Sequence, residues 1–339
     1  MTVRRIRGTA LLVTAAALAL AAGCSGGGSA ANASRLEKPV LNVAVVPAVD
    51  SAGFFVALDQ GLFKAQGLTV NFTPVTSSET AIADQAKGTY DITGGNYVSY
   101  IQAQQQRTAS LDIFAEGSVM EPGTQGIYTL PGSRVTTLAG LKGQTVAINA
   151  PDNILFLLTA SVLAEHGIDP GSVHFAPIPF QNMPAELSSN AVSAAVLPEP
   201  FASGAEETQG GVPLVDLDQG ATTSFPVEGY VVTRQWAARY PQTLAAFYRA
   251  LEQGQQLADI SRAAVEQAMV DMPAPFGVSA KTAAVMALDS YPVSSGPPGT
   301  VDVARLKRVV DVMRQFLGFP AFDITSMLMG SGQGHGTTG

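Results

Sequence analysis

Residues 141–167, LKGQTVAINAPDNILFLLTASVLAEHG, pass from a short β-rich run (145–148) through a polar turn (149–153) into a helix (154–165). That helix is apolar on nearly every side and is stopped by Gly167. A strand that enters a helix through so short a turn points unpaired backbone N–H groups, and the positive end of the helix, at whatever lies beyond the strand. The same unit also occurs with nothing bound, because open α/β sheets use only some of their strand ends.

The rest of the chain repeats this unit. Residues 41–46 (LNVAVV) form a continuous apolar run of the buried parallel-strand type. A helix starts near Phe54, a strand covers 69–76, a helix capped by Ser77 or Ser78 reaches about Lys87, and a third strand covers 90–93. Gly94, Gly95 and Asn96 break the chain before a helix over 97–105, and 111–118 is another strand. Residues 121–126, with a proline and two glycines, have the composition of a crossing between lobes. Strand and helix then alternate through 145–148, 154–165, 173–177, 184–189 and 194–197. A strand at 212–215, a return crossing at 219–226 and a strand at 228–233 bring the chain back to its first half. Tyr240, Leu244, Phe247 and Leu251, and later Val303, Leu306, Val310, Met313 and Leu317, keep helical spacing and are read as core contacts. Two βαβαβ halves imply an α/β fold of two lobes, lobe 1 from 39–122 and 225–329 and lobe 2 from 123–224.

At the N-terminus, Arg4, Arg5 and Arg7 precede an apolar run over 11–22 that is too short to span a bilayer. Leu20-Ala21-Ala22-Gly23-Cys24 follows and resembles a bacterial lipobox, which makes 1–23 a signal peptide and Cys24 the lipid attachment; the alternative is a plain secretory signal. Cys24 is the sole cysteine, so it has no disulfide partner within the chain. Residues 24–38 read as a lipidated cysteine with a flexible tether, and 330–339 as a disordered tail. The chain is expected to be exported and anchored to the outer face of the cell membrane, by either the general secretory or the twin-arginine route. A formal net charge of −8, with no basic cluster along the sequence after residue 10, argues against a nucleic-acid surface.

In order along the chain, GFFVALDQGLFKAQGLTV (53–70), KGTYDITGGNY (87–97), LKGQTVAI (141–148), AVLPEPF (195–201) and GYVVTRQWAARYPQTLAAFYRAL (229–251) form one pattern. It resembles the substrate-binding proteins of ABC importers in the sulfonate, nitrate and thiamine-precursor (SsuA/NMT1-like) group. The ending FDITSMLMG (322–330) resembles that of actinobacterial members. The resemblance implies a type II periplasmic-binding fold with two crossings, a small-molecule ligand in the cleft, and permease and ATPase subunits as partners of a monomer. It implies no cofactor and no metal. The competing class is an enzyme of related architecture, a thiamine-pyrimidine synthase, whose chemistry the resemblance ties to histidine and cysteine constellations. This chain has only Cys24, His166, His174 and His335 for that purpose, no metal-ligand spacing or P-loop, and no G-x-S-x-G beyond the GCSGG of residues 23–27, so it is read as a non-enzyme. A lipid-anchored sensor on the same fold is a third class.

Strand ends near 46, 93, 149, 178 and 197 would face such a cleft. The loops there contain no lysine or arginine, and the candidate ligand contacts are Asp50, Phe54, Asn96, Tyr97, Asn149, Asp152, Asn153, Phe180, Glu199, Phe225 and Glu228. Rings attract cations and carboxylates accept N–H groups, so a neutral or cationic nitrogen-bearing or aromatic compound is expected, such as a thiamine-precursor-like pyrimidine. The alternative is an alkylsulfonate-type anion on helix N-termini. Each residue also has a structural reading: Glu199 as an acid at a helix start, Asp152 as an N-cap, Phe54 as core, Gly94 and Gly95 as points of close backbone approach.

Overall fold

A computed structural model describes residues 36–293 and 296–329, which form one compact unit. The segments read as signal peptide (1–23), lipid attachment at Cys24, most of the tether (up to residue 35) and tail (330–339) lie outside the described residues. No helix among the described residues is long and apolar enough to cross a membrane.

The strands are β1 (Val40–Val45), β2 (Thr69–Pro74), β3 (Ile92–Asn96), β4 (Leu111–Val119), β5 (Gln125–Thr129), β6 (Thr145–Ile148), β7 (His174–Pro177), β8 (Ala194–Pro198), β9 (Val212–Asp216) and β10 (Pro226–Thr233). They form two five-stranded sheets, in the orders β2-β1-β3-β10-β4 and β7-β6-β8-β5-β9. Within each sheet the βα-linked strands run parallel, while β10 is antiparallel to β3 and β4, and β5 is antiparallel to β8 and β9. The chain leaves the first sheet after Val119, completes the second between Gln125 and Asp216, and returns at Pro226.

The helices are α1 (Ala52–Asp59), α2 (Leu62–Ala65), α3 (Ser78–Ala86), α4 (Tyr97–Gln105), α5 (Ile154–Glu165), α6 (Met183–Ser188), α7 (Phe201–Gln209), α8 (Arg234–Arg239), α9 (Pro241–Ile260), α10 (Arg262–Val270), α11 (Ala280–Val285) and α12 (Val303–Phe316). Local chemistry explains their starts. Ser77, Asn96 and Asn153 accept hydrogen bonds from first-turn N–H groups of α3, α4 and α5, and Pro241 occupies the first turn of α9, where its missing N–H costs nothing.

Two differences from the sequence reading bear on the site. Gln125 and Gly126, read as the end of a crossing over 121–126, open β5, the strand between β8 and β9, and Gly94 and Gly95 do not break the chain but lie inside β3. A Cβ on Gly94 would stand 2.7 Å from the Tyr230 ring, and one on Gly95 would collide with the Ser78 hydroxyl, so the glycines serve close packing within a strand. One core is aromatic: Phe54, Phe63, Phe72, Phe114 and Phe247 pack together between the first sheet and α1, α2 and α9. The other fills the second sheet and runs on through α4 and α12, so α12 touches elements of both halves.

Candidate functional site

Because β5 and β10 are the strands that enter each sheet at a crossing, their first residues meet the C-terminal ends of β1, β3, β6 and β8. A pocket of about 40 Å³ lies there, lined by residues from both halves: Ala48, Asp50, Asn96 and Glu228 from one, Gln125, Asn149, Phe180 and Pro198 from the other. That is room for about three waters. The halves touch around it. Val49 N–H donates to the Glu199 carbonyl (2.8 Å), Gln125 Nε2 to Asp50 Oδ1 (3.0 Å), Asn149 Nδ2 to the Thr76 carbonyl (3.2 Å) and Gln102 Nε2 to the Asp152 carbonyl (2.8 Å).

The electrostatics of the lining are one-sided. Asp50 and Glu228 are 8% and 3% exposed, and no lysine or arginine lines the pocket. The Ser51 hydroxyl lies 2.7 Å from both oxygens of Glu228, yet burial, followed by the nearby charge of Asp50, pushes its carboxyl up to about 8. Behind Asp50 stands Asp289, 5% exposed, whose carboxyl approaches Asp50, Thr124 and Ser118 without making a well-aligned hydrogen bond. Burial raises both aspartates, and for Asp289 the charge of Asp50 adds to it. Two adjacent buried carboxyls cannot both ionise cheaply, so this pair holds a proton. Gln125 spends its amide N–H on Asp50, and its Oε1, also buried, has no partner. The pocket thus presents carboxyls and an unfilled acceptor.

Of the sequence candidates, Asp50, Asn96, Asn149, Phe180 and Glu228 line the pocket. The others lie elsewhere. Phe54 is fully buried in the aromatic core, and Tyr97 is fully buried with its ring packed on Gly229. Asp152 is exposed at φ 52° and is not the cap of α5; Asn153 is, accepting from Leu155 and Phe156 N–H, while its Nδ2 holds Asn149 Oδ1 at 2.6 Å. Glu199 turns away from the pocket to accept from Ser203 N–H, Ser203 Oγ and Ala287 N–H, fixing the start of α7. Phe225 is buried beneath the Arg308 guanidinium, 5.3 Å from its ring centroid. Sequence reasoning missed Ser51, Ser78, Gln125 and Asp289. Gln125 could have been found from the strand that starts with it, whereas nothing local to Asp289 announces its place.

A family model described as "NMT1/THI5 like" matches residues 48–259. The bicarbonate transport ATP-binding protein CmpC of Synechocystis sp. is 27% identical over 232 residues, covering 64% of this chain and 34% of that protein. The chain therefore spans about a third of the length of this curated relative. Among solved structures, the periplasmic nitrate-binding protein NrtA from Synechocystis PCC 6803 superposes with TM-score 0.70 at 16% identity, covering 86% of this chain and 85% of that one. The alkanesulfonate-binding protein SsuA from Xanthomonas axonopodis pv. citri, bound to MOPS, gives 0.69 at 16%, covering 85% and 96%. The desulfurization enzyme DSZB gives 0.61 at 15%, covering 85% and 95%. At these identities the likeness establishes the fold, which is the two-lobed periplasmic-binding fold.

Proposed function

The chain belongs to the NMT1/THI5-like family, and on that premise we propose that it is an exported solute-binding protein whose two lobes close on a small molecule and hand it to an ABC importer. Lobe 1 is taken as 39–122 with 225–329 and lobe 2 as 123–224, with a lipid on Cys24 holding the protein at the outer face of the cell membrane. The ligand is a neutral or cationic nitrogen-bearing compound, such as an aminopyrimidine. One observation carries this choice: the lining offers Asp50, Glu228 and the unfilled Gln125 Oε1 as acceptors, and no lysine or arginine. A ligand with N–H donors satisfies those groups, while an anion would bring like charge to a site already crowded with buried carboxyls. A pocket of about 40 Å³ is too small for such a molecule with the halves in contact, so entry requires them to part and binding re-forms the contacts around it.

Binding, rather than catalysis, is supported by the nitrate-binding and alkanesulfonate-binding proteins among the solved structures that share the fold. A second reading has an observation of its own. Ser78, Ile154 and Leu155 are first-turn residues of α3 and α5 and line the pocket beside Asn96, the cap of α4. Three helix N-termini converge there, which suits a small anion such as an alkylsulfonate.

A thermal-shift screen of the chain from Ser25 onward separates the two. Aminopyrimidines, other N-heterocycles and amines are expected to raise the midpoint, by about 2.7 kcal/mol of stabilisation at a hundredfold Kd, and Glu228→Gln is expected to abolish the shift. Shifts with alkylsulfonates or nitrate alone, retained in Glu228→Gln, would overturn the nitrogenous ligand.

A further inference from the structure

No basic cluster is visible along the sequence after residue 10, yet folding assembles one. At the pole of the first sheet opposite the pocket, where β1, β3 and β4 start and β10 ends, an open groove of about 890 Å³ is lined by Lys38, Lys87, Arg107, Arg234 and Arg239. These are five of the fifteen lysines and arginines among the described residues, in a chain of formal charge −8. Asp91 is the only acid in the lining, and its Oδ1 takes both Lys38 Nζ and Trp236 Nε1. Lys87 and Arg234 are paired with Asp84 and Asp112 just outside the groove, each at 2.9 Å. Two guanidiniums remain without an acid among the described residues. Arg107 is exposed, at φ 59°, with no side-chain partner, and Arg239 is exposed and stands 5.4 Å from the Tyr240 ring centroid, itself 5.2 Å from the ring of Trp236.

We propose that this groove docks the protein on an anionic lipid bilayer. Free guanidinium forks bind phosphate oxygens in pairs, and tryptophan and tyrosine rings suit the headgroup level, where one edge is wet and the other apolar. The rest of the molecule is acidic and is repelled by an anionic surface, so this pole is the face that such a surface selects. Of the proposed function, the inference uses only the anchor at Cys24. Lys38 follows that residue by 14 positions, so an acyl chain there keeps the groove within about 50 Å of the bilayer even with the segment fully extended. Resting on this pole, the protein holds its second lobe outward and its pocket clear of the lipid.

The test is sedimentation of the chain from Ser25 onward, without lipid, with vesicles of phosphatidylcholine alone and with added phosphatidylglycerol, at low and high salt. Binding is expected only to the anionic vesicles, with loss at high salt and a weakening of more than about thirtyfold in the double variant Arg107→Glu, Arg239→Glu. The double variant Lys142→Glu, Lys281→Glu, which reverses two exposed charges outside the groove, should bind as the parent does. Unchanged thermal midpoints would show that both variants fold. Equal binding to neutral vesicles, or no effect of the Arg107 and Arg239 changes, would overturn the proposal. So would binding of soluble inorganic polyphosphate through the same residues by a protein that leaves the vesicles untouched. Because no pocket ligand is used, either result stands apart from the ligand screen.

Discussion

With Ser51 facing both of its oxygens and Asp50 nearby, Glu228 keeps its proton in the folded chain up to about pH 8, whereas its ordinary value is 4.5. Between those values the folded form binds more protons than the unfolded one. The resulting contribution to stability is full below 4.5 and is lost as pH rises through about 8. Asp50 and Asp289 are raised in the same direction by burial and reinforce the trend. The thermal midpoint of the ligand-free protein is therefore expected to fall as pH rises across this window, and less steeply in Glu228→Gln. A midpoint that rises instead would show that Glu228 is ionised in the empty pocket. A cation entering beside Glu228 displaces its proton, so affinity should increase with pH, and calorimetry in buffers of different ionisation enthalpy should detect proton release. Asp50 and Glu228 were legible as acids on loops near strand ends. Asp289 was not, because it comes to Asp50 through packing of a distant, irregular segment. Phe54 and Tyr97 were read as cleft aromatics because a sequence shows that a ring is present but not which side of the sheet it faces.

Helix packing shows the same mixture of legible and hidden causes. The bounds of strand β6 and helix α5 were readable to the residue, since an apolar β-run, a polar turn and a terminal glycine all agree there, but the cap is Asn153 and not Asp152. The strand β5 was hidden because Gly126 lies next to the Pro122–Gly123 turn and composition favoured loop. Helices α1 and α9 come so close that a Cβ on Gly254 would collide with the Gly53 carbonyl, and one on Gly53 would meet Gln255. Gln255 in turn donates from Nε2 to the carbonyls of Glu116 and Gly117 in β4. Gly254→Ala would raise helix propensity on its own, by about 1 kcal/mol, but must push the helices apart here. The expected outcome is a net destabilisation of about 1–3 kcal/mol in urea unfolding with pocket selectivity unchanged. Stabilisation would mean that the crossing relaxes freely.

At the scale of the whole molecule, the sequence conveyed two α/β halves through its repeated strand–helix order, but not which strands pair, because pairing partners are remote along the chain. The two returns across the pocket have a consequence for synthesis. All five strands of the second sheet lie between Gln125 and Asp216, so that half is complete as soon as those residues exist. The first sheet is not: β10 sits between β3 and β4 and holds them together, yet it is made last. Until residues 226–233 arrive, β3 and β4 have no neighbour on their facing edges, and unpaired edges of that kind invite aggregation. A chain ending at residue 225 is expected to show protease protection over 125–216 and none over 92–119, and protection over both would contradict this order. The earlier-made half thus spends most of the chain's synthesis unfinished, and a helper that shields nascent chains has its natural customer in residues 40–119.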